Sequence, residues 1–233
     1  MATLPSAQAT PEPETSAVEL RLEALEHHFG GRRALEPVSL HVRGPGIVAV
    51  TGANGSGKTT LLRILAGLLA PTRGVHELRA GARAVPAARR FQAAGLVAVD
   101  AALYDELTAR ENLELFARVR GLSSPRAVAD RGLERVGLAA RADDRVGAYS
   151  SGMKQRLKLA FAVQHDPVLL LLDEPGSHLD DQGREALARV IDEQTRRGLV
   201  VLATNDEREV PSLARRLRLG GGGLGHPGQG MAQ

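Results

Sequence analysis

The chain has 233 residues, of which 43% are hydrophobic and 24% are charged. This composition is that of a globular protein, and the length suffices for one sizeable α/β domain with an inserted subdomain but not for two full domains. The absence of cysteine excludes a disulfide framework and a thiolate metal site. The net charge is only +3, the basic residues are interspersed with acidic ones, and aromatic residues make up 3% of the chain. Since nucleic-acid binders tend to have clustered basic residues and stacking aromatics, no nucleic acid is expected as a partner.

The two ends of the chain differ in composition from its middle. Residues 1–16 contain three prolines among small and polar residues, which predicts a disordered leader, and residues 220–233 begin with four glycines, which predicts a disordered tail. The N-terminus lacks the basic and apolar segments of a signal peptide, and no apolar run approaches the roughly 18 residues that a spanning helix needs. The sequence therefore predicts one cytosolic domain over residues 17–219.

The first half of this domain shows strand patterns followed by a helix. Apolar and polar residues alternate over 18–23 and again over 38–42, which predicts strands with one solvated face. Residues 47–50 form a continuous apolar run, as expected of a strand buried on both faces. A glycine-rich break at 52–57 is followed by a predicted helix over 59–69.

The second half continues the alternation of strands and helices. Strands are predicted at 95–99, 168–172 and 199–203, and helices at 153–165 and 181–197. The intervening stretch 107–146 is predicted to be mostly helical, with Ser124 and Pro125 as the N-cap and first residue of one helix. This order favours an α/β core with a largely parallel sheet and an inserted helical subdomain.

The glycine-rich break fits the phosphate-binding loop pattern G-x-x-x-x-G-K-[ST] at every fixed position. The loop consists of Gly52, Ala53, Asn54, Gly55, Ser56, Gly57, Lys58 and Thr59, and Thr60 follows it. Glycines allow successive backbone N–H groups to point at phosphate oxygens, and the following helix N-terminus favours an anion. Lys58 is predicted to contact the β- and γ-phosphates, and Thr59 to ligate Mg²⁺. A glycine-rich turn with a chance lysine is the alternative, which the flanking strand and helix disfavour.

A second chemical motif is an apolar strand that ends in two acids, Asp173 and Glu174. Asp173 is predicted to bind Mg²⁺, directly or through water, and Glu174 to orient or deprotonate an attacking water. A solvated acidic turn is the alternative, and the phosphate loop upstream favours the catalytic interpretation.

Residues 149–156 add a third motif, and with it residues 18–210 resemble the ATP-binding cassette (ABC) family. The family signature is typically Leu-Ser-Gly-Gly-Gln; Ser150 and Gly152 match its second and fourth positions, whereas Tyr149, Ser151 and Met153 depart from it. The resemblance implies that Ser150, Ser151, Gly152 and Met153 meet the γ-phosphate of ATP held by an opposite subunit. It implies a P-loop NTPase core with a mixed, largely parallel sheet, an N-terminal antiparallel β region, and a helical subdomain at about 105–150.

Three further positions take their predicted roles from the same resemblance. Phe29 stands where the family has an aromatic residue that stacks on adenine, although a core phenylalanine is the alternative. Asn205 replaces the family's switch histidine, and its amide can donate to phosphate but cannot become cationic. Asp100 stands where the family has a glutamine that senses Mg²⁺, and its carboxylate is expected to approach that metal. Residues 177–180 correspond to the loop that connects the two ATP sites.

The resemblance implies a function as well as a fold. The chain is expected to bind ATP and Mg²⁺, to pair as a homodimer or with another ATPase subunit, and to hydrolyse ATP for a separate multi-span membrane permease. Residues 103–113 resemble the family segment that docks on the membrane subunit. The small size, the short region after Asn205 and residues 103–108 resemble exporter ATPases of the ABC-2 and haem-exporter type, so export is the expected direction. The expected location is the cytoplasm, peripheral on the inner face of the cell membrane. The alternatives are a soluble ABC-type ATPase of DNA repair or translation, and a weakly hydrolysing regulatory module.

Overall fold

The computed structural model describes residues 18–98, 100–177 and 179–220. The predicted leader, nearly all of the predicted glycine-rich tail, Val99 and His178 lie outside the described residues. No helix within these described ranges is long and apolar enough to cross a membrane.

The N-terminal part forms a four-stranded antiparallel sheet of order β2-β1-β4-β5. Its strands are β1 (Val18–Phe29), β2 (Arg32–Arg43), β4 (Arg73–Ala80) and β5 (Arg83–Ala84). The alternating pattern of residues 18–23 correctly predicted the first half of β1, and that of residues 38–42 correctly predicted part of β2. Sequence reasoning missed β4, in which charged residues interrupt the alternation, and β5, which has only two residues.

A five-stranded sheet of order β6-β7-β8-β3-β9 forms the core of the molecule. The strands are β3 (Gly46–Thr51), β6 (Ala94–Val97), β7 (Leu169–Asp173), β8 (Leu199–Thr204) and β9 (Arg215–Arg218). Every neighbouring pair in it is parallel. The expected mixed sheet is thus divided into one antiparallel and one parallel sheet. The short edge strand β9 was not predicted.

The helices cover the parallel sheet and fill the middle of the chain. They are α1 (Lys58–Leu65), α2 (Arg90–Ala93), α3 (Ala109–Val119), α4 (Pro125–Arg135), α5 (Ser151–Val163) and α6 (Asp181–Thr195). The predicted helical stretch 107–146 contains α3, α4, a 3-10 turn at Ala139–Arg141 and the start of another at Val146–Ala148. Pro125 is the first residue of α4 as predicted. Ser124, however, adopts a left-handed conformation (φ 54°) and makes no side-chain cap.

Two apolar clusters hold the layers together, one on each face of the parallel sheet. Leu169, Leu171 and Val201 point into the cluster shared with α1 and the antiparallel sheet. Leu170 and Leu172 point into the cluster shared with α3, α4, α5 and α6. This alternation explains why these strands are continuous apolar runs. It also fixes the loops at their carboxyl ends, where the candidate site lies.

Candidate functional site

The predicted phosphate loop and the two predicted acids meet at the carboxyl edge of the parallel sheet. Strands β7, β8 and β3 are adjacent, and each ends at this edge, so the loops that follow them converge. In open α/β sheets this edge is where ligands bind. The structure thus brings residues 52–59, Asp173, Glu174 and Asn205 to one place.

The loop between β3 and α1 has a backbone that glycine alone adopts readily at several points. Gly52, Gly55 and Gly57 have φ values of 153°, 81° and 97°. A methyl group on Gly57 would lie 2.5 Å from the Ala34 carbonyl oxygen, so the loop also packs tightly against β2. Gly57 caps α1 without a side-chain acceptor, and the first turn of α1 holds no acidic residue. The loop therefore offers N–H groups and a helix N-terminus to an anion.

Lys58 is buried at the base of this loop, with 7% of its surface exposed. Its Nζ donates to the carbonyl oxygen of Gly52 at 2.9 Å and lies 3.7 Å from Glu174 Oε1. A buried ammonium group that is held by loop carbonyls is preorganised for a ligand phosphate, because it can exchange those weak bonds for charged oxygens.

Thr59 and Asp173 form a polar pair beside Lys58. The Thr59 hydroxyl donates to Asp173 Oδ2 at 2.8 Å. Asp173 is 2% exposed, and its Oδ1 has no hydrogen-bond partner among the described residues. Burial raises the pKa of the Asp173 carboxyl. A buried carboxylate oxygen with an unused acceptor, next to a hydroxyl, is a donor set that suits Mg²⁺.

Glu174 and Asn205 lie on the two loops that follow β7 and β8. Glu174 has a left-handed backbone (φ 46°), and its N–H donates to the Ala203 carbonyl oxygen at 2.9 Å. The side-chain amide of Asn205 donates to Asn54 Oδ1 at 3.2 Å. Non-glycine residues with a left-handed backbone, such as Glu174, cluster at functional sites. The side chains of Glu174 and Asn205 both contact the phosphate loop, at Lys58 and at Asn54 respectively.

A cavity of about 560 Å³ lies over the loop and is lined by predicted ligand contacts from three parts of the chain. Its lining includes Phe29, Asn54, Gly55, Gly57, Lys58, Thr59, Thr60, Asp173 and Glu174. Phe29 is 52% exposed at the end of β1, which disfavours the alternative of a core phenylalanine. Its ring is available at the mouth of the cavity for stacking on a planar group.

Sequence reasoning missed Arg32, Arg33 and Ala34, which line the same cavity from the start of β2. Arg33 is held by His28 and Glu36, with Nε 3.2 Å from His28 Nε2 and Nη1 2.7 Å from Glu36 Oε2. The only sequence indication was their proximity to Phe29 along the chain. The hairpin between β1 and β2 turns these residues towards the phosphate loop.

The signature residues begin α5, away from the cavity over the phosphate loop. Ser150 is the N-cap of α5, and its Oγ accepts from the Met153 N–H at 3.2 Å. Ser150 and Ser151 are exposed, whereas Gly152 is buried. Ser151 lines a second cavity, of about 620 Å³, whose other walls include Glu174 and Asn205. An exposed serine pair at a helix start is available to an anion from outside the chain.

Asp100 lies beside helix α1. Its carboxylate forms an ion pair with Arg63 of α1, with Nη2 2.5 Å from Oδ2. The pKa of Asp173 is raised mainly by burial, and the negative charge of Asp100 raises it slightly further. Its role at a metal stays a prediction.

Comparison with known proteins identifies relatives that match most of this chain. The family model described as "ABC transporter" matches residues 35–177. The uncharacterized ABC transporter ATP-binding protein YdbJ of Bacillus subtilis is 36% identical over 85% of this chain and 65% of its own length. The aliphatic sulfonates import ATP-binding protein SsuB 2 of Pseudomonas aeruginosa is 39% identical over 90% of this chain and 74% of its own.

Two further comparisons extend this set. The daunorubicin resistance ATP-binding protein DrrA3 of Streptomyces coeruleorubidus is 38% identical over 85% of this chain and 64% of its own. A solved structure of the ATP binding subunit of an ABC transporter superposes with a TM-score of 0.74 at 27% identity, covering 86% of this chain and 85% of that one. The chain spans slightly less than two thirds of the length of YdbJ and DrrA3.

Proposed function

The chain belongs to the ABC transporter family, and we propose that it is the subunit that binds and hydrolyses ATP to energise transport through a separate membrane permease. The observation that carries this proposal is the convergence of Lys58, the Thr59–Asp173 pair and Glu174 around one cavity. A phosphate-binding loop alone would support nucleotide binding. The acid beside the lysine adds a group that can act on water.

In this proposal the loop binds the triphosphate and the hairpin binds the base. Backbone N–H groups of residues 52–59 and the N-terminus of α1 receive the phosphate oxygens, and Lys58 exchanges the Gly52 carbonyl for a phosphate. Phe29 stacks on adenine, which is worth on the order of 1–3 kcal/mol for base–aromatic contacts. Arg32, at the same rim, adds positive charge next to the phosphates.

Mg²⁺ would be held by Thr59 and Asp173, and when bound it would neutralise charge on the phosphates. The unpartnered Asp173 Oδ1 is the acceptor that this ion would use. Asp100, paired with Arg63 of α1, is proposed to add negative charge near the ion.

Hydrolysis requires a water molecule to attack the γ-phosphorus while the bond to the bridging oxygen breaks, giving ADP and phosphate. Glu174 accepts the proton of that water, and its strained backbone fixes its direction. Asn205 donates from its amide to the γ-phosphate or the water. Its hydrogen bond to Asn54 holds it over the loop.

The signature residues suit a second chain rather than the same one. Ser150, Ser151, Gly152 and Met153 begin α5, and the two serines are exposed at that helix start. We propose that they contact the γ-phosphate bound by a second copy or a paired ATPase subunit, so that two ATP molecules close a dimer.

We propose that the protein lies at the inner face of the cell membrane, where it binds a separate permease. The described residues contain no helix that could cross the membrane. We propose export as the direction of transport. Residues 103–108 resemble the corresponding segment of ABC-2 and haem-exporter type ATPases, and the relative DrrA3 is a resistance protein by name. Import is the second candidate, because sulfonate import proteins are 39–40% identical to this chain.

The first test is steady-state ATP hydrolysis by the full chain with Mg²⁺, compared with Glu174→Gln. We expect the variant to lose hydrolysis while it keeps ATP binding, since glutamine cannot accept the proton. A control is Glu185→Gln on the exposed side of α6, which should behave as the wild type. Equal rates for wild type and Glu174→Gln would support the weakly hydrolysing regulatory module instead.

The second test asks what the protein works with. Tagged Glu174→Gln is captured with Mg-ATP from native membranes in mild detergent, and co-purifying proteins are identified by mass spectrometry. A multi-span membrane protein supports the transporter. Partners restricted to DNA-repair or ribosomal proteins would overturn it in favour of the soluble ATPase. Reconstitution of the captured complex in vesicles then distinguishes export from import by whether the cargo moves away from or towards the side on which ATP is hydrolysed.

A further inference from the structure

We propose that Glu209 is a positioning residue that clamps the loop carrying Asn205 against the turn that follows Glu174. This inference rests on the proposed function, because its consequence is a faster hydrolytic step. Glu209 lies in a 3-10 turn, Glu207–Glu209, and lines neither of the two cavities described above. Its side chain nevertheless contacts both catalytic loops from behind.

The first contact is with the end of β8. The buried hydroxyl of Thr204 donates to Glu209 Oε2 at 2.6 Å and accepts from the Asp206 N–H at 3.0 Å. The Glu209 N–H donates in turn to the Asp206 carbonyl oxygen at 3.1 Å. The residues before and after Asn205, Thr204 and Asp206, are therefore hydrogen-bonded to each other, and both are also hydrogen-bonded to Glu209.

The second contact is with the turn after β7. This turn is closed by the Ser177 N–H, which donates to the Glu174 carbonyl oxygen at 3.2 Å. The Glu209 carboxylate packs against the α-carbon of Gly176 in the middle of the turn. A methyl group on Gly176 would overlap Oε1 and would lie 2.9 Å from Cδ of Glu209. A methyl group there would have to displace the carboxylate from Thr204, whereas glycine, whose own φ is not left-handed, permits the close approach.

These contacts join the two loops at a second point. At the first point, the Glu174 N–H donates to the Ala203 carbonyl oxygen at 2.9 Å. One backbone hydrogen bond leaves the loops free to pivot about it. The Glu209 carboxylate, which holds Thr204 on one side and Gly176 on the other, removes that freedom. Glu174 and Asn205 then keep a fixed mutual geometry, as a water molecule between them requires.

The test compares Glu209→Ala with Glu209→Gln in the full chain. Alanine removes both contacts, and we expect kcat for ATP hydrolysis to fall by about 10-fold or more with KM little changed, because a misplacement of about 1 Å costs up to ~100-fold. Glutamine keeps an acceptor oxygen at the same length and should restore most of the rate. The matched control is Glu207→Ala in the same turn, whose carboxylate pairs with Arg216 at the surface.

A double-mutant cycle separates the clamp from a general loss of structure. Gly176→Ala should lower kcat and the free energy of unfolding in the wild type but have little further effect in Glu209→Ala, where the overlapping carboxylate is gone. This non-additivity is measured by hydrolysis and, independently of hydrolysis, by urea unfolding. If the losses of unfolding free energy caused by Gly176→Ala and Glu209→Ala simply add, the contact between the two residues is refuted. This result can be read even if one alanine variant is too unstable for a reliable hydrolysis assay.

The outcomes distinguish the clamp from the function on which it rests. If wild type hydrolyses ATP faster than Glu174→Gln but Glu209→Ala matches Glu207→Ala, the clamp is refuted and the proposed function stands. A loss in Glu209→Ala that appears in KM alone, or that glutamine does not restore, also refutes it. If wild type and Glu174→Gln do not differ, the proposed function fails, and the positioning role fails with it.

Discussion

Substitution of Gly57 by alanine should destabilise the phosphate loop far more than the same substitution at Gly55. Both residues have left-handed backbones, with φ of 97° and 81°. An added methyl group therefore costs about 1–2 kcal/mol at either position. At Gly57 the methyl would also lie 2.5 Å from the Ala34 carbonyl oxygen and 3.0 Å from Leu35 Cδ1, whereas at Gly55 nothing lies within 4 Å.

The overlap at Gly57 adds about 1–3 kcal/mol, the usual range for overpacking in a close-packed site. The expected loss is thus about 2–5 kcal/mol for Gly57→Ala and 1–2 kcal/mol for Gly55→Ala. Urea unfolding of the nucleotide-free protein measures both variants against wild type. Binding of Mg-ATP should weaken in both and more in Gly57→Ala, because the Ala34 wall of the cavity must move.

Equal losses of unfolding free energy in the two variants would refute this reasoning. That result would mean that β2 moves away from the loop at no cost, so that conformation alone sets the requirement for glycine. A Gly57→Ala protein as stable as the wild type would refute the left-handed conformation as well.

Three further predictions concern charge and helix capping. Because burial raises the pKa of Asp173, its ionised form is penalised at neutral pH. Asp173→Asn should therefore make the nucleotide-free protein more stable to urea at pH 7 while abolishing Mg²⁺-dependent hydrolysis, and the stability gain should shrink as pH falls through that raised pKa. Burial also lowers the pKa of His76 to about 3, so the unfolded chain binds a proton first and stability should fall as pH drops below about 6.5. His76→Leu should flatten this acid dependence in thermal unfolding between pH 7 and 5, and an unchanged slope would contradict it. The Thr108 hydroxyl accepts from the Glu111 N–H in a capping box. Thr108→Ala should therefore lower the free energy of unfolding of the protein by about 1 kcal/mol. Ser124→Ala should lose much less, because Ser124 makes no side-chain cap, and equal losses would show that capping does not explain the difference.

The sequence by itself determined those features that depend on neighbours along the chain. The phosphate loop was predictable because its glycines, Lys58 and Thr59 lie within eight residues between an apolar strand and a helix. Asp173 and Glu174 were predictable because a strand buried on both faces ends directly before them. Helix ends were less accurate: α1 ends at Leu65 and not at 69, and α5 begins at Ser151 and not at 153.

Only the tertiary structure decided which distant residues meet these motifs. The hairpin of β1 and β2 places Arg32 and Arg33 over the loop, Arg63 pairs with Asp100, and Asn205 bonds to Asn54 across 151 positions of sequence. The Asn205–Asn54 pair depends on the adjacency of β8 and β3 in the sheet, which no local pattern encodes. The strands β4 and β9 escaped sequence reasoning for the same physical reason, because their charged residues are stabilised as strands by the neighbours with which they pair.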